Sequence, residues 1–146
     1  MALAAICCFA PLLFSQTTPT VLEKPIETTV CEIVQGSQRF DGKRVRFLAN
    51  FRSDGIEYGV LIDSNCGRGI IPFVPDEVEH HPDIEAFDRA TDTGRLGTMD
   101  RRIVATFTGR FIRKLNRSSH LRFILEIEQI ENLQVTMVDL KPHTPK

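Results

Sequence analysis

The chain has no tryptophan and a single tyrosine, Tyr58. That shortage counts against a single-strand nucleic-acid binder, because such proteins stack bases on exposed aromatic rings. The ten phenylalanines do not fill the gap, since those in strand-like stretches share the core phase of their segments. Net charge is also missing: 18 Lys and Arg against 19 Asp and Glu leave a formal −1. No global field recruits nucleic acid or an anionic membrane, although a local basic patch remains open. Cysteine is sparse, four in 146 residues, and no C-x-x-C pair occurs, which disfavours a zinc site. Nucleophile-elbow, phosphate-loop and zinc-protease motifs are missing too. No catalytic residue, metal ligand or cofactor is assigned on this basis.

The opening stretch, "MALAAICCFAPLLFS", lacks charge altogether. Such a run is short for a bilayer span, which takes about 20 residues, but suits the apolar core of a secretory signal. Residues 1–15 are therefore expected to be a signal peptide, cleaved after Ser15 with Leu13 and Ser15 in the minus-three and minus-one places. No Lys or Arg stands near Met1, which departs from the usual signal. A buried N-terminal strand is the alternative. A lipid anchor fits poorly, because neither Cys7 nor Cys8 follows a leucine and small residues in the required places. The expected mature chain is exported, periplasmic or extracellular, with no transmembrane span.

Removal of the leader leaves two cysteines, Cys31 and Cys66. An even count in an exported chain reads as a disulfide. Buried free thiols are the alternative, and a catalytic thiol would need a histidine positioned beside it.

Residues 16–27 hold two prolines among polar residues and read as a linker. Thr29 and Glu32 have capping-box spacing, which predicts a short helix over 30–35 ended by Gly36. "FDGK" at 40–43 makes a turn. The period then becomes two: Val45, Phe47, Ala49 and Phe51 on one face, with Arg44, Arg46, Asn50 and Arg52 on the other. Strands follow over 57–63 and 69–74, with Cys66 between them. An acidic helical stretch contains Ile84 and Phe87 at core spacing. Alternation returns with Ile103, Ala105, Phe107, Gly109 and Phe111, then with Leu121, Phe123, Leu125 and Ile127. Residues 133–146 read as a tail.

Three strands, a helix and two strands is the order of the OB-fold, a five-stranded Greek-key barrel. With Cys31, "FDGKRVRF" at 40–47 and "LIDSNC" at 61–66, the chain resembles small exported bacterial proteins with OB-like domains. The resemblance covers residues 28–132. It implies a mainly β, OB-fold-like barrel with a short leading helix and a helix between strands 3 and 4. It also implies that a Cys31–Cys66 bond would clip the leading helix to the barrel. It carries over no catalytic residues.

OB barrels commonly bind along one face, between the loops after strands one and four. Here those loops supply Arg52 and Tyr58, and Arg113, Lys114, Arg117 and His120. Arg44 and Arg46 add to the same outer charge. Charge runs are usually solvated surface, and this face is read so first; if it binds a ligand, an anionic envelope polymer or an acidic protein is expected. His80 and His81 are adjacent and would diverge on a helix, so they make a poor metal pair. "NRS" at 116–118 is a glycosylation sequon only in a eukaryotic secretory route. The leading expectation is an exported, non-enzymatic binding module. The alternatives are a small envelope enzyme and an intracellular nucleic-acid-binding OB protein whose N-terminus is core.

Overall fold

The computed structural model describes residues 23–53, 59–93, 97, 100–115 and 121–138. The expected leader, residues 1–15, lies outside them. In chain order the elements are β1 (Ile26–Glu27), α1 (Val30–Gln35), α2 (Ser37–Phe40), β2 (Arg44–Arg52), β3 (Val60–Ile62), β4 (Ile71–Phe73), α3 (Pro82–Thr91), β5 (Arg101–Leu115) and β6 (Leu121–Met137).

The capping box is formed at α1. The Thr29 hydroxyl accepts the Glu32 amide at 3.1 Å, and the Glu32 carboxylate accepts the Thr29 amide at 3.1 Å. A further bond from the Thr28 hydroxyl, 2.8 Å, holds the Glu32 carboxyl below the usual carboxylate range. After α2 the "FDGK" turn joins the helices to the sheet. Gly42 takes φ 72°, a left-handed conformation that costs other residues more. Its amide donates to the Phe111 carbonyl at 2.8 Å, and the Asp41 carboxylate accepts the Arg113 amide at 2.9 Å.

β2 is antiparallel to β5 from Arg44↔Arg110 to Phe51↔Ile103. Its other edge is shared by β1, parallel at Val45 and Arg46, and by β3, antiparallel at Asn50 to Arg52. β5 is also antiparallel to β6, and β4 runs parallel to β6. The fold is thus mainly β, with a mixed six-stranded sheet that does not close.

This corrects the expected five-stranded barrel in two respects. β1 adds a strand within the stretch read as linker, and the named strands form an open path. Among the described residues, β3 and β4 are linked through one bridge, Leu61↔Ile70, with N···O distances of 2.8 and 2.9 Å. The physical reason is local. Each of the two strands has three residues, and Pro72 in β4 has no amide to donate.

The core faces follow the period-two pattern. Val45, Phe47, Ala49 and Phe51 are buried, as are Ile103, Ala105, Phe107 and Phe111, and Phe123, Leu125 and Ile127. Two register shifts interrupt it. Between Gly109↔Ile127 and Thr108↔Gln129, β6 carries one extra residue; a second shift lies between Thr106 and Val104. Such bulges move the inward phase. Ile130 therefore replaces the expected alternate position inside, and Thr108 is buried beside Gly109. Asn132, φ 55°, sits in the second irregularity. α3 covers one end of the core with Ile84, Phe87 and Ala90. The Phe87 ring meets Phe51 and Phe107 edge-on, at centroid distances of 5.0 and 5.6 Å. Among the described residues, no helix is long and apolar enough to cross a membrane.

The sulfur atoms of Cys31 and Cys66 lie at bonding distance, with Cα atoms 5.6 Å apart. That separation suits an ordinary disulfide. The bond ties α1 to the turn after β3, where the Asp63 carboxylate accepts the Asn65 amide at 2.9 Å.

Two measurements check these interactions. Replacing Cys31 or Cys66 by Ser should lower the melting temperature in oxidising buffer and change it little in reducing buffer. The loss approaches about 4 kcal/mol in the chain-entropy picture, for a separation of 35 residues. Gly109→Ala should cost about 1–3 kcal/mol by chemical denaturation, because a Cβ there would run into the Glu126 carbonyl.

Candidate functional site

The outer face of β2 does not present free cations along its length. Arg44 pairs with Glu128, and Arg46 pairs with Glu131 at 3.0 Å and Glu27 at 3.2 Å. The bonds to Glu131 and Glu27 hold the Arg46 guanidinium charged beyond its ordinary value. Partly exposed pairs of this kind contribute about 0.2–1 kcal/mol each. Their larger effect is to neutralise the arginines that the alternation pattern adds to a basic face.

The predicted site residues fall at two ends of the sheet. Arg52 ends β2, where Phe51 faces Ile103. Arg113 and Lys114 lie ten or more residues further along β5, roughly 33 Å at the rise of an extended strand. At that far end Lys114 is exposed and faces Arg122 across the ladder. Arg113 is half-buried, and its Nε has no hydrogen-bond partner among the described residues. Tyr58, Arg117 and His120 lie outside the described residues. His80 and His81 are exposed, and His81 stands just before α3. No group of three or more His, Cys, Asp or Glu able to hold a metal ion is found among the described residues.

The end of the sheet around Arg52 holds an open cleft of about 490 Å³. It forms where β2 ends and β5 begins. Arg52, Arg101 and Arg102 line it, with Asn50, Ser53 and Ser64 as further polar groups and Phe51, Ile62 and Val138 as apolar ones. Successive strand residues point to opposite faces, yet Arg101 and Arg102 both reach the cleft because it wraps the first two residues of β5. The volume falls in the range of small-ligand sites, about 300–1,000 Å³.

Arg101 is the unusual member. It shares the inward phase of Ile103 and Ala105 and is only 6% exposed. Its Nη1 donates to the Thr91 carbonyl at the C-terminus of α3. A cation is favourable at that end of a helix, so this bond has a structural role. Its Nη2 is buried and has no hydrogen-bond partner among the described residues. A buried donor left unpaired costs about 1–3 kcal/mol. Arg102 is exposed and donates from Nε to the Asn50 side-chain oxygen at 2.9 Å, which fixes its stem over the sheet edge. Asp100 is a buried carboxylate beside this group, and its backbone carbonyl accepts the Val138 amide at 2.6 Å.

No protein-family model matches this chain, and no curated protein matches it. The site is therefore argued from its own chemistry.

Two further depressions have the opposite character. One, of about 460 Å³, is lined by Asp76, Glu77 and Glu126 beside Phe73 and Pro75. The other, of about 380 Å³, holds Asp83 and Glu128. The Asp83 carboxylate is already occupied by the Ile130 amide at 2.7 Å, a bond that docks α3 on β6.

Among the described residues, Arg52 is the one sequence-predicted site residue that the cleft contains. Arg101 and Arg102 were missed. The available signal was an arginine in the core phase at the first residue of an alternating strand, "RRIVATF", where an apolar residue is the ordinary choice.

Arg101→Met tests whether the guanidinium is held for stability. Methionine fills much of the stem volume, loses the Thr91 bond and removes the unpaired donor. These effects oppose one another, so the unfolding free energy should stay within about 1 kcal/mol of the parent by denaturant titration.

Proposed function

We propose that the protein is an exported, non-enzymatic binding or interaction module of the cell envelope, built on an OB-fold-like barrel. The observation that carries the binding reading is the cleft at the end of β2. Three arginines line it, and the most buried has a donor without a partner. Among the described residues it is lined by arginine, amide, hydroxyl and apolar groups, a set that suits holding a ligand.

The barrel reading is supported by the pairing pattern. β2 meets β3 and β5, β5 meets β6, and β6 runs parallel with β4. The Leu61↔Ile70 bridge lies at the one junction that would complete the ring. The pairing is compatible with membership among the small exported bacterial OB-like proteins that "FDGKRVRF" and the two cysteines resemble. Export is supported by the Cys31–Cys66 pair, since disulfides persist in oxidising compartments. The chargeless composition of residues 1–15 points the same way.

Intact mass and N-terminal sequence of the protein from its own host test this reading. The expected result is a chain beginning at Gln16, with a mass two hydrogens below that of the reduced form. A chain made to start at Gln16 should also melt at the same temperature as the full-length protein. An uncleaved, fully reduced protein in the host would overturn export.

A further inference from the structure

We propose that the cleft at the end of β2 binds an oxyanion carried on an apolar body, the oxyanion being a carboxylate or a phosphate ester. The inference deepens the binding reading above and rests on it. Its starting point is Arg101. The residue lines the cleft yet is only 6% exposed, and its buried Nη2 has no hydrogen-bond partner among the described residues. Arg101 takes part in no ion pair among the described residues; its one described bond is to a neutral carbonyl. A buried carboxylate, Asp100, precedes it in the chain; on the cleft side an oxyanion would add a guanidinium–oxyanion bond, roughly twice as strong as a neutral one.

The surroundings favour the same ligand. Arg102, anchored through Nε to Asn50, lines the cleft, and Arg52 adds a second exposed cation. Arginines elsewhere on β2 are neutralised by Glu128, Glu131 and Glu27. A further depression lined by Asp76, Glu77 and Glu126 would repel an anion. In a chain of net charge −1, positive charge gathers at this end, as it also does at the far end of β5, where Lys114 faces Arg122. The apolar part of the ligand follows from Phe51, Ile62 and Val138, of which Val138 is 42% exposed. Arg101 supplies inner positive charge, Arg102 and Arg52 the rim charge, and Phe51, Ile62 and Val138 the apolar lining.

The test uses the full-length, oxidised, isotope-labelled protein and four probes: benzoate, phenyl phosphate, inorganic phosphate and the neutral benzamide. Backbone signals of Asn50, Ser64, Arg101 and Arg102 are followed in titrations at two salt concentrations. Benzoate or phenyl phosphate should shift these signals saturably, and more weakly at high salt. Benzamide should not. The stronger of the two anions identifies a carboxylate or a phosphate ligand. Arg102→Gln should weaken binding roughly tenfold, the loss of one charge-assisted bond. Arg102→Lys should retain part of it, and Arg89→Gln, which removes an exposed charge on α3, should change nothing. Arg101→Met should abolish binding if it folds; Arg102 is exposed, so its variants keep the test decisive if it does not.

Benzamide binding as tight as benzoate would overturn the oxyanion, and inorganic phosphate binding as tight as phenyl phosphate would overturn the apolar body. Signals unmoved by every probe, or an Arg102→Gln protein that binds like the parent, would overturn the assignment of the cleft. Cleavage and the disulfide are read by mass whatever the cleft does, so failure here is distinct from failure of the export reading.

Discussion

The fold depends on one strand being hydrogen-bonded along both edges. β5 pairs with β2 on one side and with β6 on the other, and its inward residues form the middle of the core. For β5 and β6 to stay paired over their length while curving, the register must shift, and it does so at Gly109 and again near Ala105. At Gly109 the strands come so close that a side chain would meet the Glu126 carbonyl. Each bulge sharpens the local twist. The result is a curved sheet whose concave side holds a single cluster of buried apolar residues, closed at one end by Ile84 and Phe87 of α3.

Curvature also separates charge. On the convex side, strands brought together by the pairing place Glu128 and Glu131 opposite Arg44 and Arg46, so that most of that surface is internally balanced. At the strand ends the balance is lost. One end gathers Arg52, Arg101 and Arg102 around an apolar floor. Elsewhere Asp76, Glu77 and Glu126 gather around Phe73. A nearly neutral chain is therefore polar in the electrostatic sense, and its ligand preferences are set by position rather than by net charge.

The leading helix is held by three different means. α1 has its capping box, the Asp41–Gly42 turn bonds to β5, and Cys31 reaches the turn after β3. The cross-link joins residues that the hydrogen-bonded ladder does not, which is where restricting the unfolded chain has the greatest effect. It also steadies a turn whose flanking strands have three residues each.

Much of this was written in the sequence. The Thr29–Glu32 spacing specified α1, alternation specified which faces of β2, β5 and β6 are buried, and "FDGK" specified a turn that requires Gly42. These are local rules, fixed by the period of the backbone and by hydrogen bonds within a few residues. The order of strands and helix, and two cysteines bracketing one unit, were legible for the same reason. What the sequence did not carry is everything that depends on two distant segments meeting. Pairing with β2 turned Ile26–Glu27 from linker into strand. A bulge in β6 moved Ile130 inward against the simple alternation. Arg44 and Arg46 read as free cations until Glu128 and Glu131 were set opposite them. Arg101 stood in a core phase, but only tertiary contact set Thr91 at its Nη1 and opened a cleft beside it. Local periodicity records which side of a strand faces inward; it holds no information about which charge or cleft lies across from it. That is decided by tertiary contact.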